Sequence, residues 1–216
     1  FLSGRLFGVV AIEMTNRSRP MQQATVQKVQ AGAKWLETMI QMHGSTTKEQ
    51  LVHLVDLVAA GLENDGFRIA ATEVSNELAE RFSCQRVSLG FLRYNQVRVE
   101  ALSHSSQIDQ HSNMIRAIRD AMSESLDQGR TVVYPDASDN TVLVTRFHAQ
   151  LAKVQQGAAI CTLPLIKNSK AVGALLLERD ADKPFTAETV EQCEQIGLLL
   201  GPVLEARRRD ERPLPM

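Results

Sequence analysis

GAAICTLPLIKNSKAVGALLLERD, residues 157–180, decides the fold. Two apolar runs, 158–166 and 171–178, flank a polar Lys-Asn-Ser-Lys turn, the pattern of a hairpin inside a sheet with both faces covered. The second arm, AVGALLLE, has too little polar alternation for a strand with one wet face. Something is therefore expected to pack on each side of it.

Downstream, Pro184-Phe185-Thr186-Ala187-Glu188 opens a long terminal helix over 186–209, with Thr186 as its cap and Glu188 in the first turn, where a carboxylate suits the dipole. Upstream, Phe147, Leu151 and Val154 mark a helix over 142–155, preceded by a loop at 135–139 and a short strand at 131–134. Met114, Ile115, Ile118, Met122 and Leu126 recur at helical spacing, and Gly129 closes that helix. Residues 86–94 and 97–104 read as two strands joined by Asn95-Gln96, a two-residue loop suited to a tight hairpin. Before them come helices at 67–82 and 51–62, the second with a capping box in Thr46, Thr47 and Glu49. The chain opens with a strand at 5–13 and a helix of about six turns at 21–42.

The composition narrows the function classes. With 216 residues, 44% hydrophobic, 23% charged and a formal net charge of −1, the chain suits one ordinary domain plus attachments. That balance gives no electrostatic reason to expect nucleic acid as a partner. No window approaches the roughly 18 to 20 apolar residues of a membrane span. Cys84, Cys161 and Cys193 have neither CxxC nor Cys/His spacing and each sits in an apolar context, which reads as buried thiols in a reducing, cytoplasmic compartment.

The opening SGRLFGVVAIEMTNRSRPMQQATVQKVQAGAKWLETMI aligns with the later NSKAVGALLLERDADKPFTAETVEQCEQIGLLLGPVLEA. Gly8 meets Gly173, Glu13 meets Glu178, Trp35 meets Leu199 and Met39 meets Val203. A strand, turn and helix unit thus occurs twice, a tandem repeat. We read residues 1–42 as the strand and helix that end a preceding domain of the same kind, 43–209 as a complete domain, and 210–216 as a tail.

The order of helix, hairpin, crossover helix, strand, helix, hairpin and helix, with VSLGFLRYNQVRVEALSH, GRTVVYP and ICTLPL…AVGALLLER in sequence, resembles a GAF domain. The expected fold is an α+β sandwich, a central antiparallel sheet with the terminal helices on one face and the middle helices and loops on the other. The resemblance implies a sensory or scaffolding module of a signalling protein that holds a small molecule between the sheet and the middle helices. It also implies a homodimer bundled through the helices at 21–42 and 186–209. Leu89, Phe91, His104, Ile115, Ile118, Phe147, Cys161 and Leu163 are the expected ligand-binding residues, and no cofactor is assigned.

Other family activities leave signatures that are missing here. A bilin-attaching version needs an exposed Cys near a His, and a cyclic-nucleotide version an Asn-Lys…Phe…Asp-Glu pattern where this chain has Asn140-Thr141…Phe147. The competing class is a thiol-dependent enzyme of the same fold, such as a sulfoxide reductase, with Cys161 as nucleophile. His104, His111 and His148 match no metal-ligand spacing and read as solvated loop histidines, and Arg207-Arg208-Arg209 reads as a solvated, dipole-matched helix end. The two-copy arrangement with the basic end LEARRRDER is also similar to the cytosolic front portion of some bacterial haemolysin-D-type membrane-fusion proteins, which implies a membrane segment after this stretch in an inner-membrane protein.

Overall fold

The computed structural model describes residues 66–105, 107–135 and 143–210, together with residues 19, 22 and 26, which are helical. The strand expected at 5–13, the rest of the helix at 21–42, the helix at 51–62 and the loop at 136–142 lie outside the described residues. The chain divides into two compact units, Phe1–Val52 and His53–Met216, and the sheet belongs to the second.

Its elements are α1 (Phe67–Arg81), β1 (Arg86–Arg93), β2 (Gln96–Leu102), α2 (Asn113–Gln128), β3 (Val132–Tyr134), α3 (Arg146–Val154), β4 (Ala159–Lys167), β5 (Lys170–Arg179) and α4 (Ala187–Asp210). The five strands pair antiparallel in the order β2-β1-β5-β4-β3. The hairpin at 157–180 is β4-β5, and β5 is buried along most of its length because β1 and β4 pair with its two edges and helices cover both its faces.

Both hairpins turn through two residues at positive φ, Tyr94-Asn95 (49° and 63°) and Asn168-Ser169 (50° and 60°), as a type I′ turn requires. The first turn therefore lies one residue earlier than the Asn95-Gln96 read from sequence, and Gln96 pairs with Arg93 in the ladder. The helix expected from residue 142 starts at Arg146. Gln128 explains why Val144 is not helical: its side-chain amide bonds both the N–H and the carbonyl of Val144, at 2.8 and 2.9 Å, and so occupies the groups that a helix would use. Ser112 caps α2 by accepting from the Ile115 N–H, Gly129 ends α2 in the left-handed conformation, and Thr186 accepts from Thr189 at the start of α4.

Residues paired in register share a face of the sheet. One face carries Val87, Leu89, Phe91, Ala101, Cys161, Leu163, Leu175 and Leu177, and the other Arg86, Ser88, Gly90, Val99, Leu102, Ile160, Thr162, Ala174, Leu176 and Glu178. The terminal helices cover the first face. Phe67 of α1 meets Phe91 edge to face at 5.4 Å, and α4 lies so close that a side chain at Gly197 would run into Leu163 and one at Gly201 would sit 3.0 Å from the Ile166 carbonyl. The glycine stripe of α4 is thus used against the sheet. The middle helices cover the second face, where Ile115, Ile118, Met122 and Leu151 pack on Val99, Leu102, Ile160 and Leu176. Gly90 lacks a side chain where the Met122 sulfur and Val97 fill the space.

Candidate functional site

Polar residues inside an apolar layer need partners, and on the α2/α3 face they form a chain. Glu124 of α2 accepts from the Phe147 N–H (3.0 Å) and the His148 N–H (3.2 Å) at the start of α3. The His148 Nδ1 lies 2.6 Å from Glu124 Oε2, and its Nε2 lies 2.8 Å from Thr162 Oγ1 of β4. His148 and Thr162 are fully buried and Glu124 nearly so. Burial lowers the His148 pKa, and the opposing pull of the Glu124 carboxylate does not cancel it. The neutral ring then donates from Nδ1 to Glu124 and accepts the Thr162 hydroxyl proton at Nε2.

Acid, imidazole and hydroxyl in line have the order of a catalytic triad, yet Thr162 faces packed side chains and no solvent. What the arrangement does is fasten α3: it satisfies two N–H groups at the helix start and ties the helix to both α2 and the sheet. His148 is thus a buried connector, which corrects its reading as a solvated loop histidine. His104 and His111 are exposed.

Two further polar features share this face. Arg86 places Nη1 3.3 Å from both carboxylate oxygens of Glu178 across β1 and β5, and burial raises the Glu178 pKa against the pull of Arg86. Ser88, one rung along, has no exposed surface, and among the described residues its hydroxyl has no hydrogen-bond partner. Leu102 and Leu176 flank it.

The residues expected to bind ligand do not converge. Ile115 and Ile118 lie on α2 above the second face, whereas Leu89, Phe91, Cys161 and Leu163 point to the first face, beneath α1 and α4. The sheet separates the two sets. His104 is exposed, with its N–H bonded to Asn76 Oδ1 at 2.7 Å, and Phe147 is 36% exposed on the outer side of α3. Glu124, Ser88 and Thr162 were missed by reasoning from sequence, although Ser88 and Thr162 each interrupt an otherwise apolar strand, between Val87 and Leu89 and between Cys161 and Leu163.

All three cysteines are buried and free. Burial pushes the Cys84 thiol up to about 11 and the Cys193 thiol up to about 12, and it raises Cys161 well above the ordinary thiol range. At neutral pH none is a thiolate. Among the described residues no three His, Cys, Asp or Glu side chains gather as a metal set. The basic end of α4 is not a free charge run: Arg208 donates to Glu205 at 2.8 Å and to the Leu92 carbonyl at 3.2 Å and stacks over Phe91, while Arg209 also pairs with Glu205.

No curated protein matches the chain by sequence. Among solved structures it is similar to the GAF domain of an Acinetobacter phosphoenolpyruvate-protein phosphotransferase, at 13% identity and a TM-score of 0.54, covering 76% of this chain and 98% of that one. It is also similar to a GAF domain from A. aeolicus captured in an inactive state (12%, TM-score 0.52, 73% and 96%). A third is a free methionine-R-sulfoxide reductase from Neisseria meningitidis in complex with its substrate (12%, TM-score 0.52, 77% and 96%). At such identities these likenesses show the fold alone. The sequence profile of the GAF domain matches residues 68–204, which run from α1 to α4 and make up well over half of the chain. This chain therefore belongs to the GAF domain family.

Proposed function

We propose that the chain is a non-catalytic small-molecule-sensing or protein-interaction module of a larger bacterial protein, with its ligand held on the α2/α3 face of the sheet. Ser88 carries this reading. A buried hydroxyl without a partner destabilises a fold by about 1 to 3 kcal/mol, and a ligand group bonded to it would remove that penalty. Ile115 and Ile118 would line such a site beside Leu102 and Leu176, whereas Leu89, Phe91, Cys161 and Leu163 would not.

The competing thiol enzyme, suggested by the sulfoxide reductase among the similar structures, fits poorly with three buried cysteines whose pKa values are all raised. A membrane-fusion context rests only on the resemblance of the tandem copies and the basic end. Homodimerisation through the helices at 21–42 and 186–209 completes the proposal. Light scattering of the native chain and of a Trp35→Glu, Met39→Glu variant tests it, and a native chain that stays monomeric at micromolar concentration sinks it.

Thermal shift against a metabolite panel tests the sensing role. A ligand of this site raises the melting temperature of the native chain and does less for Ser88→Ala and for Ile118→Phe. Ligands whose effect survives both changes place binding elsewhere.

A further inference from the structure

A cleft of about 490 Å³ opens at the far edge of the sheet, away from Ser88, between the end of α2, the outer edge of β4 and α4. Its size lies within the range of small-molecule sites, roughly 300 to 1,000 Å³. Leu163, Pro164, Ile166 and Leu198 give it apolar walls, and Arg130 and Glu194 stand at its rim.

The cleft exists because β3 stops short. Its last pair on this side is Val132 with Thr162, so among the described residues β4 runs on from Leu163 without a neighbour on its outer side. Strand addition is not what this edge is built for. Pro164 has no N–H to offer, and α4 covers Ile166 closely at Gly201. The walls are tethered in advance: Ser125 Oγ donates to the Arg130 carbonyl at 2.8 Å, Gln128 holds Val144 beside the Leu143 wall, and Thr131 Oγ1 donates to Glu194 Oε1 at 2.6 Å.

The charges define the occupant. The Arg130 guanidinium and the Glu194 carboxylate are both exposed, they are not paired with each other, and neither meets an opposite charge among the described residues. Among the described residues Glu194 bonds only through Oε1, to Thr131. A cleft with one cation, one anion and apolar walls is complementary to a zwitterion with an apolar body. We propose that it binds a free apolar amino acid or a short apolar peptide, with the carboxylate at Arg130, the ammonium at Glu194, and the side chains over Leu163, Pro164, Ile166 and Leu198.

This site is distinct from the one proposed on the α2/α3 face, and either can fail without the other. The test is amide-resolved NMR titration of the native chain with leucine, with Leu-Leu, and with Leu-Leu blocked at its amino end by acetylation, at its carboxyl end by amidation, or at both. An exposed cleft with two ionic contacts is expected to bind in the millimolar range, about −4 kcal/mol. Leucine or Leu-Leu should shift the amides of residues 129–131, Leu163, Leu165, Ile166 and 194–198, and whichever binds tighter separates amino acid from peptide. Acetylation and Glu194→Gln should each weaken binding about tenfold, with little further loss when combined, and amidation should behave in the same way with Arg130→Gln. All of these positions are exposed, so the variants should fold. The proposal is overturned if neither zwitterion shifts the cleft, if the shifts fall on the α2/α3 face instead, or if the doubly blocked dipeptide binds as well as the free one.

Discussion

The two faces of the sheet are built on different terms. Beneath α1 and α4, the buried positions Val87, Leu89, Phe91, Ala101, Cys161, Leu163, Leu175 and Leu177 contain no ionisable oxygen or nitrogen, and helix and strand approach closely enough to require glycine at 197 and 201. Beneath α2 and α3, the same strands bury Ser88, Thr162 and Glu178 and receive Glu124 and His148 from the helices. The first face is held by close packing, which tolerates little change of volume. The second is held partly by hydrogen bonds whose worth depends on every member having a partner. Mutations on the two faces should therefore fail in different ways.

The largest effect is expected on the close-packed face. Gly197→Val puts atoms where the Leu163 side chain stands and should lower stability by roughly 3 kcal/mol, read as a shift of the denaturant midpoint. A loss near zero would mean that α4 does not rest on β4 in solution.

Glu124→Ala comes next. It strips acceptors from the His148 ring and from two N–H groups of α3, for a loss of roughly 2 to 3 kcal/mol. Unlike the change at Gly197, its damage should be local. Hydrogen exchange should rise over residues 147–154 well before it rises in β1 and β5. Uniform loss of protection would erase the distinction between the faces.

How much of this was legible follows from the same contrast. The sheet, the order of its elements and the assignment of its helices could be read because β4 and β5 are apolar on both sides and only a covered central strand can be so. That property also hid the site. When both faces of a strand are apolar, nothing in the pattern says which parity lies under which helix, so Leu89 and Leu163 were grouped with Ile118 across the sheet. Tyr94 entering a positive-φ turn gave no signal, since bulky aromatic residues rarely do. Glu124 looked like any polar residue of an amphipathic helix, and its role depends on where α3 begins, which is set by Gln128 gripping Val144.

Acid should act on the second face through His148. Its folded pKa lies below the unfolded value of 6.5, so the unfolded chain binds the proton more readily. The contribution of His148 to stability is whole above pH 6.5 and is lost as pH falls from there towards the lowered value, by at most about 1.4 kcal/mol per pH unit. Glu178 works in the opposite sense: its raised pKa makes the folded state take up a proton first, so acidification towards its ordinary 4.5 favours the fold. His148→Gln isolates the imidazole. Between about pH 7.5 and 5.5 the native chain should lose stability relative to that variant, and parallel curves would show that His148 is not held neutral.

The smallest effect is expected at Ser88, and a second exchange on the other face mirrors it. Ser88→Ala removes a hydroxyl that has no partner, and without ligand it should raise stability by up to about 1 kcal/mol. Cys161→Ser puts a hydroxyl into the other face at a position equally closed to solvent, and it should lower stability by about 1 to 3 kcal/mol. The signs matter more than the sizes. An apolar face has no bond to give a new hydroxyl, whereas the α2/α3 face already carries one that its own side chains leave unanswered. If Ser88→Ala proved destabilising, the hydroxyl would have an acceptor in the free protein, such as a buried water, and Ser88 would no longer point to a ligand. If it stabilised the free chain and also removed the response to a metabolite, the position would be one where the fold gives up stability that a ligand restores. That pair of results would mark the α2/α3 face as the sensing side of the sheet.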